Sequence, residues 1–325
     1  MNVVVTHWLH AEVLTYLQQF ANVHHPTKPG EIWSRKRIVK EAANADALVT
    51  CMADAVDDAF LEACPQHKII AATLKGYDSY DVDACTKHGV WLTNVPDMII
   101  PPTAELALSL ALGIMRNVRQ GDEIVRSGNF AGWRPRQYGT SLSGSAVGLV
   151  GMGALGKSIA QLLSPFGLSQ SLYFDLEERM DMKTWTKVEL RDLLINCDLI
   201  IVSLPLNPST HHLINSEVLS HIRTSTYLVN IGRGSVVDET AILEALTSER
   251  LAGYAADVFE FEDWAVKSRP KIVSKELRQH PRTLFTPHLG SNPDSVRKAM
   301  SMSAAEQVGL VMQGETPIYA VNNIK

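Results

Sequence analysis

AVGLVGMGALGKSIAQLL, Ala146 to Leu163, decides how the rest of the chain is read. Five small or branched apolar residues run into Gly151-x-Gly153-x-x-Gly156, and an apolar pattern of helical period follows. The first glycine permits a tight turn and the second lets backbone approach a pyrophosphate. The third lets the helix pack close to the strand, with the helix N-terminus facing the phosphate charge. Ala154 and Leu155 complete that loop. Such a triplet alone is weak. Here QSLYFD adds a distal acid, Asp175, roughly 20 residues past Gly156, which suits a carboxylate on the adenosine ribose hydroxyls. A carboxylate repels a 2′-phosphate, and Leu176 offers no cation, so NAD is expected over NADP. Arg179, four residues on, is within reach of the same place.

Working outward, the chain has 325 residues, enough for two domains, with 46% hydrophobic and 20% charged residues. Its formal net charge of -5 gives no general affinity for nucleic acid or acidic membranes. An anionic ligand therefore needs a local cluster of cations. Four cysteines (Cys51, Cys64, Cys85, Cys197) lie far apart and read as free thiols, three of them in apolar runs. The start, MNVVVTHWLH, lacks the form of a leader, and no run reaches 18 apolar residues. A cytoplasmic protein with no membrane segment is the expectation. The histidine pairs His24–His25 and His211–His212 do not suit one tetrahedral site, and no metal is expected.

Short apolar runs alternate with helical patterns nearly throughout. NVVVT, DALVTC, KIIAAT and VWLTN read as strands before residue 100; SAVGLV, QSLYFD, CDLIIVSLP, TYLVNIG, LAGYAADVF and TLFTP read as strands after it. Such alternation predicts parallel sheets covered by helices. Pro101 and Pro102 interrupt the rhythm, Thr103 reads as an N-cap, and Ala104 to about Arg126 reads as one long buried helix. The expected fold is α/β, two Rossmann-like domains with one inserted in the other. Residues 1–99 plus 289–325 would form the substrate domain and 100–288 the NAD-binding domain.

Three later segments place charged residues directly after apolar strands: Arg233 in LVNIGRGSVVDE, Glu260 and Glu262 in AADVFEFEDW, and His288 in LFTPHLGS. Strand C-terminal ends form the ligand crevice of an open α/β sheet. Arg grips an oxyanion with two prongs. His titrates near neutrality, and a carboxylate on its other nitrogen fixes its tautomer.

The order GxGxxG, NIGRGSVVDE, ADVFEFED, TPHLGS resembles the D-isomer-specific 2-hydroxyacid dehydrogenase family over nearly the whole chain. That resemblance implies an active site in the cleft between the domains, with Arg233 on the substrate, His288 as acid/base and Glu262 as its partner. The family often follows the acid with proline, whereas Asp263 and Trp264 follow here. It further implies cofactor contacts at Thr103, Pro205, Asn230, Asp257, His288 and Gly290, and a homodimer.

LKGYDSYD, Leu74 to Asp81, adds a lysine that a turn does not need. Ordinary members usually carry a small or apolar residue at Lys75, beside backbone amides near Gly76 that bind a substrate carboxylate. Two fixed cations, Lys75 and Arg233, suit a small dianion. CPQHKIIAATLKGYDSYDVDAC, RSGNFAGWRPRQYGTSL and GYAADVFEFEDWAVKSRP resemble the members of the family that oxidise phosphite with NAD. On that resemblance Met52, Asp78, Ser291 and Arg297 adjoin the substrate, and Trp133 and Tyr138 line the site. The competing expectations are a 2-keto acid reductase of the glyoxylate or hydroxypyruvate type, and an NAD-sensing binding protein.

Overall fold

Five short parallel strands build the first sheet: β1 (Asn2–Val5), β2 (Asn22–His24), β3 (Ala47–Thr50), β4 (Ile69–Ala72) and β5 (Trp91–Thr93), in the order β2-β1-β3-β4-β5. β3 and β4 are buried along their whole length, so no polar alternation marks them. Helices cover both faces, including Ala11–Gln18 and the last long helix, Asp294–Met312, which contributes Ala304, Ala305 and Val308 to the core under β1 and β3. In this computed structural model, which describes residues 1–52, 54–134 and 138–324, these elements belong to one unit, Met1–Ile99 with Asn292–Lys325.

The second unit, Ile100–Ser291, holds a seven-stranded parallel sheet. Its strands are β6 (Ala146–Val150), β7 (Gln170–Phe174), β8 (Thr186–Lys187), β9 (Leu199–Val202), β10 (Tyr227–Asn230), β11 (Gly253–Ala256) and β12 (Thr283–Phe285). The order β12-β11-β10-β9-β6-β7-β8 reverses direction between β6 and β9, the position where such sheets open a crevice. The unit ends at Ser291, three residues beyond the boundary at 288 read from sequence, because the segment after β12 is tied back to Asp257.

Three local readings change. The helix after the proline pair begins at Ile100, before Pro101, so Thr103 lies inside it, past the N-cap position. Proline tolerates a first helical turn because the missing N–H would have no partner there. The long helix is also two helices, Ile100–Met115 and Val118–Arg126, broken at Asn117, whose φ is +54. β2 and β8 are additional edge strands, short and largely exposed, which apolar patterning does not mark.

The segment Asp97–Met115 is long and apolar enough, by length and composition, to cross a membrane. In the structure its buried face (Ala104, Ala107, Leu110, Ala111, Gly113, Ile114, Met115) joins the core against the Ala154–Leu163 helix, β10, β11 and β12. Gly113 lets this face pack close: a Cβ would stand 2.6 Å from Leu284 Cδ2, a side-chain end that would have to shift.

Candidate active site

In the second unit, β6 ends at Val150 and Gly151 turns the chain with φ +101. Gly153 precedes the Ala154–Leu163 helix, and nothing lies within 4 Å of where its Cβ would be. A Cβ on Gly156 would lie 2.2 Å from Gly151 O, so the helix can reach the turn only with glycine there. Ala154 is exposed and Leu155 half-buried at the helix start. This open, backbone-lined cradle fits a pyrophosphate.

Asp175 follows β7 directly, and its Oδ2 accepts from Met152 N–H at 2.8 Å, tying it to the glycine turn. Its Oδ1 accepts from Glu177 N–H and from Arg179 Nη2, both at 3.2 Å. Burial raises the Asp175 pKa, but the Met152 and Glu177 donors and the Arg179 charge outweigh it, and the carboxyl lies below its ordinary value. Arg179 also pairs with Glu177 at 2.9 Å. The carboxylate thus sits beside the glycine turn, with a guanidinium next to it.

Further along the same sheet, β10 leads to Arg233, on extended backbone before a 3-10 turn, Gly234–Val236. Arg233 Nη1 donates to Gly232 O at 3.0 Å. Asn230, fully buried, braces this loop: Nδ2 donates to Arg233 O at 2.9 Å and Oδ1 accepts from Gly232 N–H at 3.2 Å. After β11 comes the 3-10 turn Glu260–Glu262. Glu262 Oε1 accepts from Phe259 N–H at 3.0 Å, and Oε2 lies 2.8 Å from His288 Nδ1. That bond places a proton on Nδ1 and leaves Nε2 for chemistry.

His288 sits at φ +55, rare for a residue with a side chain. The surrounding backbone is fixed by Asp257, which is 2% exposed. Asp257 O accepts from His288 N–H at 2.9 Å. Its Oδ1 accepts from Thr286 Oγ1 (2.6 Å) and Leu289 N–H (2.7 Å), and Oδ2 from Gly290 N–H (2.9 Å). Gly290 in turn sits against Thr103: a Cβ would lie 3.0 Å from Thr103 Oγ1. The sequence reading gave Asn230, Asp257, Thr103 and Gly290 to the cofactor. In the structure Asn230 and Asp257 brace the loops that carry Arg233 and His288, and Thr103 packs against Gly290. Pro205 is exposed, and its carbonyl accepts from Thr210 Oγ1 at 2.7 Å.

In the first unit, residues leaving the strand ends form a second polar group. Lys75 follows β4; its Nζ lies 2.6 Å from Asp97 Oδ1, and 45% of its side chain is exposed. Its carbonyl accepts from Asn94 Nδ2 at 2.8 Å, which ties the turn through Gly76 to the end of β5. Met52 packs partly buried on the core, and Asp78 is half-buried with a sealed Oδ2. Arg297 lies exposed on the Asp294–Met312 helix. The sequence reading missed His7, just past β1. It is half-buried with a sealed, unpartnered Nδ1, and burial plus the charge of Arg297 push its pKa down to about 4.

Ser291 ends the second unit, half-buried. Trp133 and Tyr138, which the resemblance gives to the site lining, are 80% and 83% exposed. Among the described residues, no group of three or more His, Cys, Asp or Glu side chains is placed to hold a metal ion.

A glutamate-paired histidine, an arginine on the next strand end and a dinucleotide cradle on one sheet agree with comparison to known proteins. The chain is 33% identical to a glyoxylate reductase of Pyrococcus horikoshii over 306 residues, 90% of this chain and 89% of that protein. A glyoxylate reductase of Thermofilum pendens is also 33% identical, over 89% of this chain and 85% of that one. The crystal structure of the TT0316 protein from Thermus thermophilus superposes with a TM-score of 0.89 at 29% identity, covering 99% of this chain and 100% of that one. Residues 108–290, more than half the chain, match "D-isomer specific 2-hydroxyacid dehydrogenase, NAD binding domain", so this protein belongs to the D-isomer specific 2-hydroxyacid dehydrogenase family and binds NAD through its second unit.

Proposed function

We propose that this NAD-dependent dehydrogenase oxidises phosphite to phosphate. The observation that carries the reading is Lys75, a cation at the end of β4 where a carboxylate-binding turn is expected. Its partner in the structure is Asp97, and the pair is exposed on both sides, 45% and 63%. Such a surface pair is worth about 0–1 kcal/mol, so a dianion can readily displace Asp97. With Arg233, Lys75 supplies two positive charges, which match phosphite and exceed what a monoanionic hydroxy acid needs.

The Gly151–Gly156 turn and Asp175 would hold NAD, which would supply the acceptor for the hydride leaving phosphorus. Water oxygen forms the new bond to phosphorus as the P–H bond breaks, and the released proton goes to His288 Nε2. Glu262, on Nδ1, stabilises the imidazolium that results. Lys75, the backbone near Gly76 and Arg233 hold the phosphite oxygens; Met52, Asp78, Ser291 and Arg297 adjoin them. On the same reading Trp133 and Tyr138 line the substrate site and the protein is a homodimer, which sedimentation of the purified protein checks.

A second reading is reduction of glyoxylate, favoured by the names of the relatives at 33% identity. There His288 donates a proton to the keto oxygen and Arg233 grips the carboxylate. One assay separates them: NADH absorbance with NAD plus phosphite, D-lactate or D-glycerate, and NADH loss with glyoxylate. Phosphite-dependent NADH formation with the organic acids silent supports the first reading. Turnover of glyoxylate alone overturns it and leaves His288, Glu262 and Arg233 in place.

A further inference from the structure

Behind the candidate site, Glu239 and Glu260 exchange backbone donors. Glu239 N–H donates to Glu260 Oε1 at 2.7 Å, and Glu260 N–H donates to Glu239 Oε1 at 2.9 Å. The first residue opens the Glu239–Thr247 helix that follows the Arg233 loop; the second opens the turn that ends in Glu262. Two more contacts bind the same segments. Ser235 N–H donates to Asp263 Oδ2 at 2.6 Å. Gly234 lies so close to the other turn that a Cβ would stand 1.9 Å from Phe259 C.

His212 ties in a third segment. Its N–H donates to Ser235 O at 2.7 Å, and its Nε2 lies 3.5 Å from Glu260 Oε2. Its backbone is left-handed, φ +50, and its ring stacks on His211 at 4.1 Å between centroids. One polar knot thus fixes the segment that bears Arg233 and the segment that bears Glu262.

We propose that Glu239, Glu260 and His212 form a positioning clamp that holds Arg233 and the Glu262–His288 pair in register. None of the three touches substrate in this account; they act through the loops they fix. The groups facing Glu239 are Glu260, Glu262 and Asp263 from the turn after β11, Tyr254 from β11, and His212 across Glu260. Burial and then the Glu260, Asp263 and Glu262 charges push the Glu239 carboxyl up to about 7. A folded pKa above the unfolded value means that ionisation opposes the folded clamp. The stability present in acid is lost as pH rises towards 7 and stays lost above it.

The inference rests on the catalytic reading of Arg233, Glu262 and His288, and not on which substrate they serve. It is tested on the full chain with Glu239→Gln, which keeps the Oε1 acceptor and stays neutral, and with Glu239→Ala, which removes both. The ligand-free Tm is followed from about pH 5 to about pH 9. NAD affinity is read by tryptophan fluorescence, and kcat and KM are measured with phosphite and with glyoxylate. Glu239→Gln is expected to lose the wild-type decline of Tm towards neutral pH while retaining turnover in mild acid. Glu239→Ala is expected to lower kcat about 10²-fold with little change in NAD affinity, the cost of a small misplacement. Parallel Tm–pH curves for wild type and Glu239→Gln overturn the coupling of the clamp to Glu239 ionisation, whether or not the alanine variant folds. A folded Glu239→Ala with kcat within about twofold of wild type overturns the clamp. Wild type inert with both substrates removes the proposed function, while the Tm–pH comparison still decides whether Glu239 ionisation loosens the clamp.

Discussion

His288 is held at φ +55 by the Asp257 network, and strain of that kind costs a residue with a side chain about 1–3 kcal/mol. Asparagine tolerates the left-handed region and lacks the base. His288→Asn is therefore expected to keep its Tm and its NAD affinity and to lose about 10²–10⁴-fold in kcat. Near-normal turnover would remove the proton-transfer role. Lys75 acts on ground and transition states alike, so Lys75→Ala is expected to raise the phosphite KM about tenfold or more with kcat little changed. A loss confined to kcat would put Lys75 in the chemistry instead. At the cofactor end, Asp175→Ala removes the carboxylate beside Arg179 and leaves a guanidinium at the ribose position. The ratio of NAD to NADP efficiency is expected to fall about tenfold or more; an unchanged ratio would take Asp175 out of the ribose contact. The places of Arg233, Glu262 and His288 after β10, β11 and β12 were legible because each follows an apolar strand within a short motif. His7 was not: its burial and its neighbour Arg297, from the other end of the chain, are products of folding that no local pattern records.

At the scale of elements, the strands with apolar runs were legible because buried parallel strands need no alternation, only continuous apolarity. β2 and β8 were not, since an exposed edge strand pairs through backbone and its side chains carry no signal. The helix start at Ile100 was hidden by reading prolines as a stop, although a first turn accepts them. The break at Asn117 was hidden because asparagine in the left-handed region resembles any helical polar residue in sequence. The glycine turn was the most legible element, and its geometry yields a prediction. A Cβ at Gly156 meets the Gly151 carbonyl at 2.2 Å, and backbone on both sides leaves no flexible side chain to give way. Gly156→Ala is expected to lower stability by about 1–3 kcal/mol and to weaken NAD binding, because the helix must retreat from the phosphate turn. A Tm and an NAD affinity both equal to wild type would mean that the helix start shifts without disturbing the cradle.

At the scale of the whole molecule, the chain order and the cores do not coincide. The second unit is one continuous stretch, Ile100–Ser291, and its two apolar clusters draw on no residue outside it. The first unit is made of two pieces, and the core under β1 and β3 is completed by Ala304, Ala305 and Val308 from the far end of the chain. Residues 1–99 alone leave that core open on one side, at a cost of roughly 1.5–3 kcal/mol for each large apolar side chain left in water. A domain stable by about 5–15 kcal/mol does not survive several such losses. The fragment 100–291 is therefore expected to melt cooperatively and to bind NAD with affinity within about tenfold of the full chain. The fragment 1–99 is expected to show no cooperative transition, and to gain one when 292–325 is joined to it through a flexible linker, which restores the Asp294–Met312 helix. Thermal melts followed by circular dichroism, with tryptophan quenching by NAD for the larger fragment, check both. An unfolded 100–291 would show that the second unit depends on the first for its stability. A cooperative 1–99 would show that the final helix covers a core already able to stand without it.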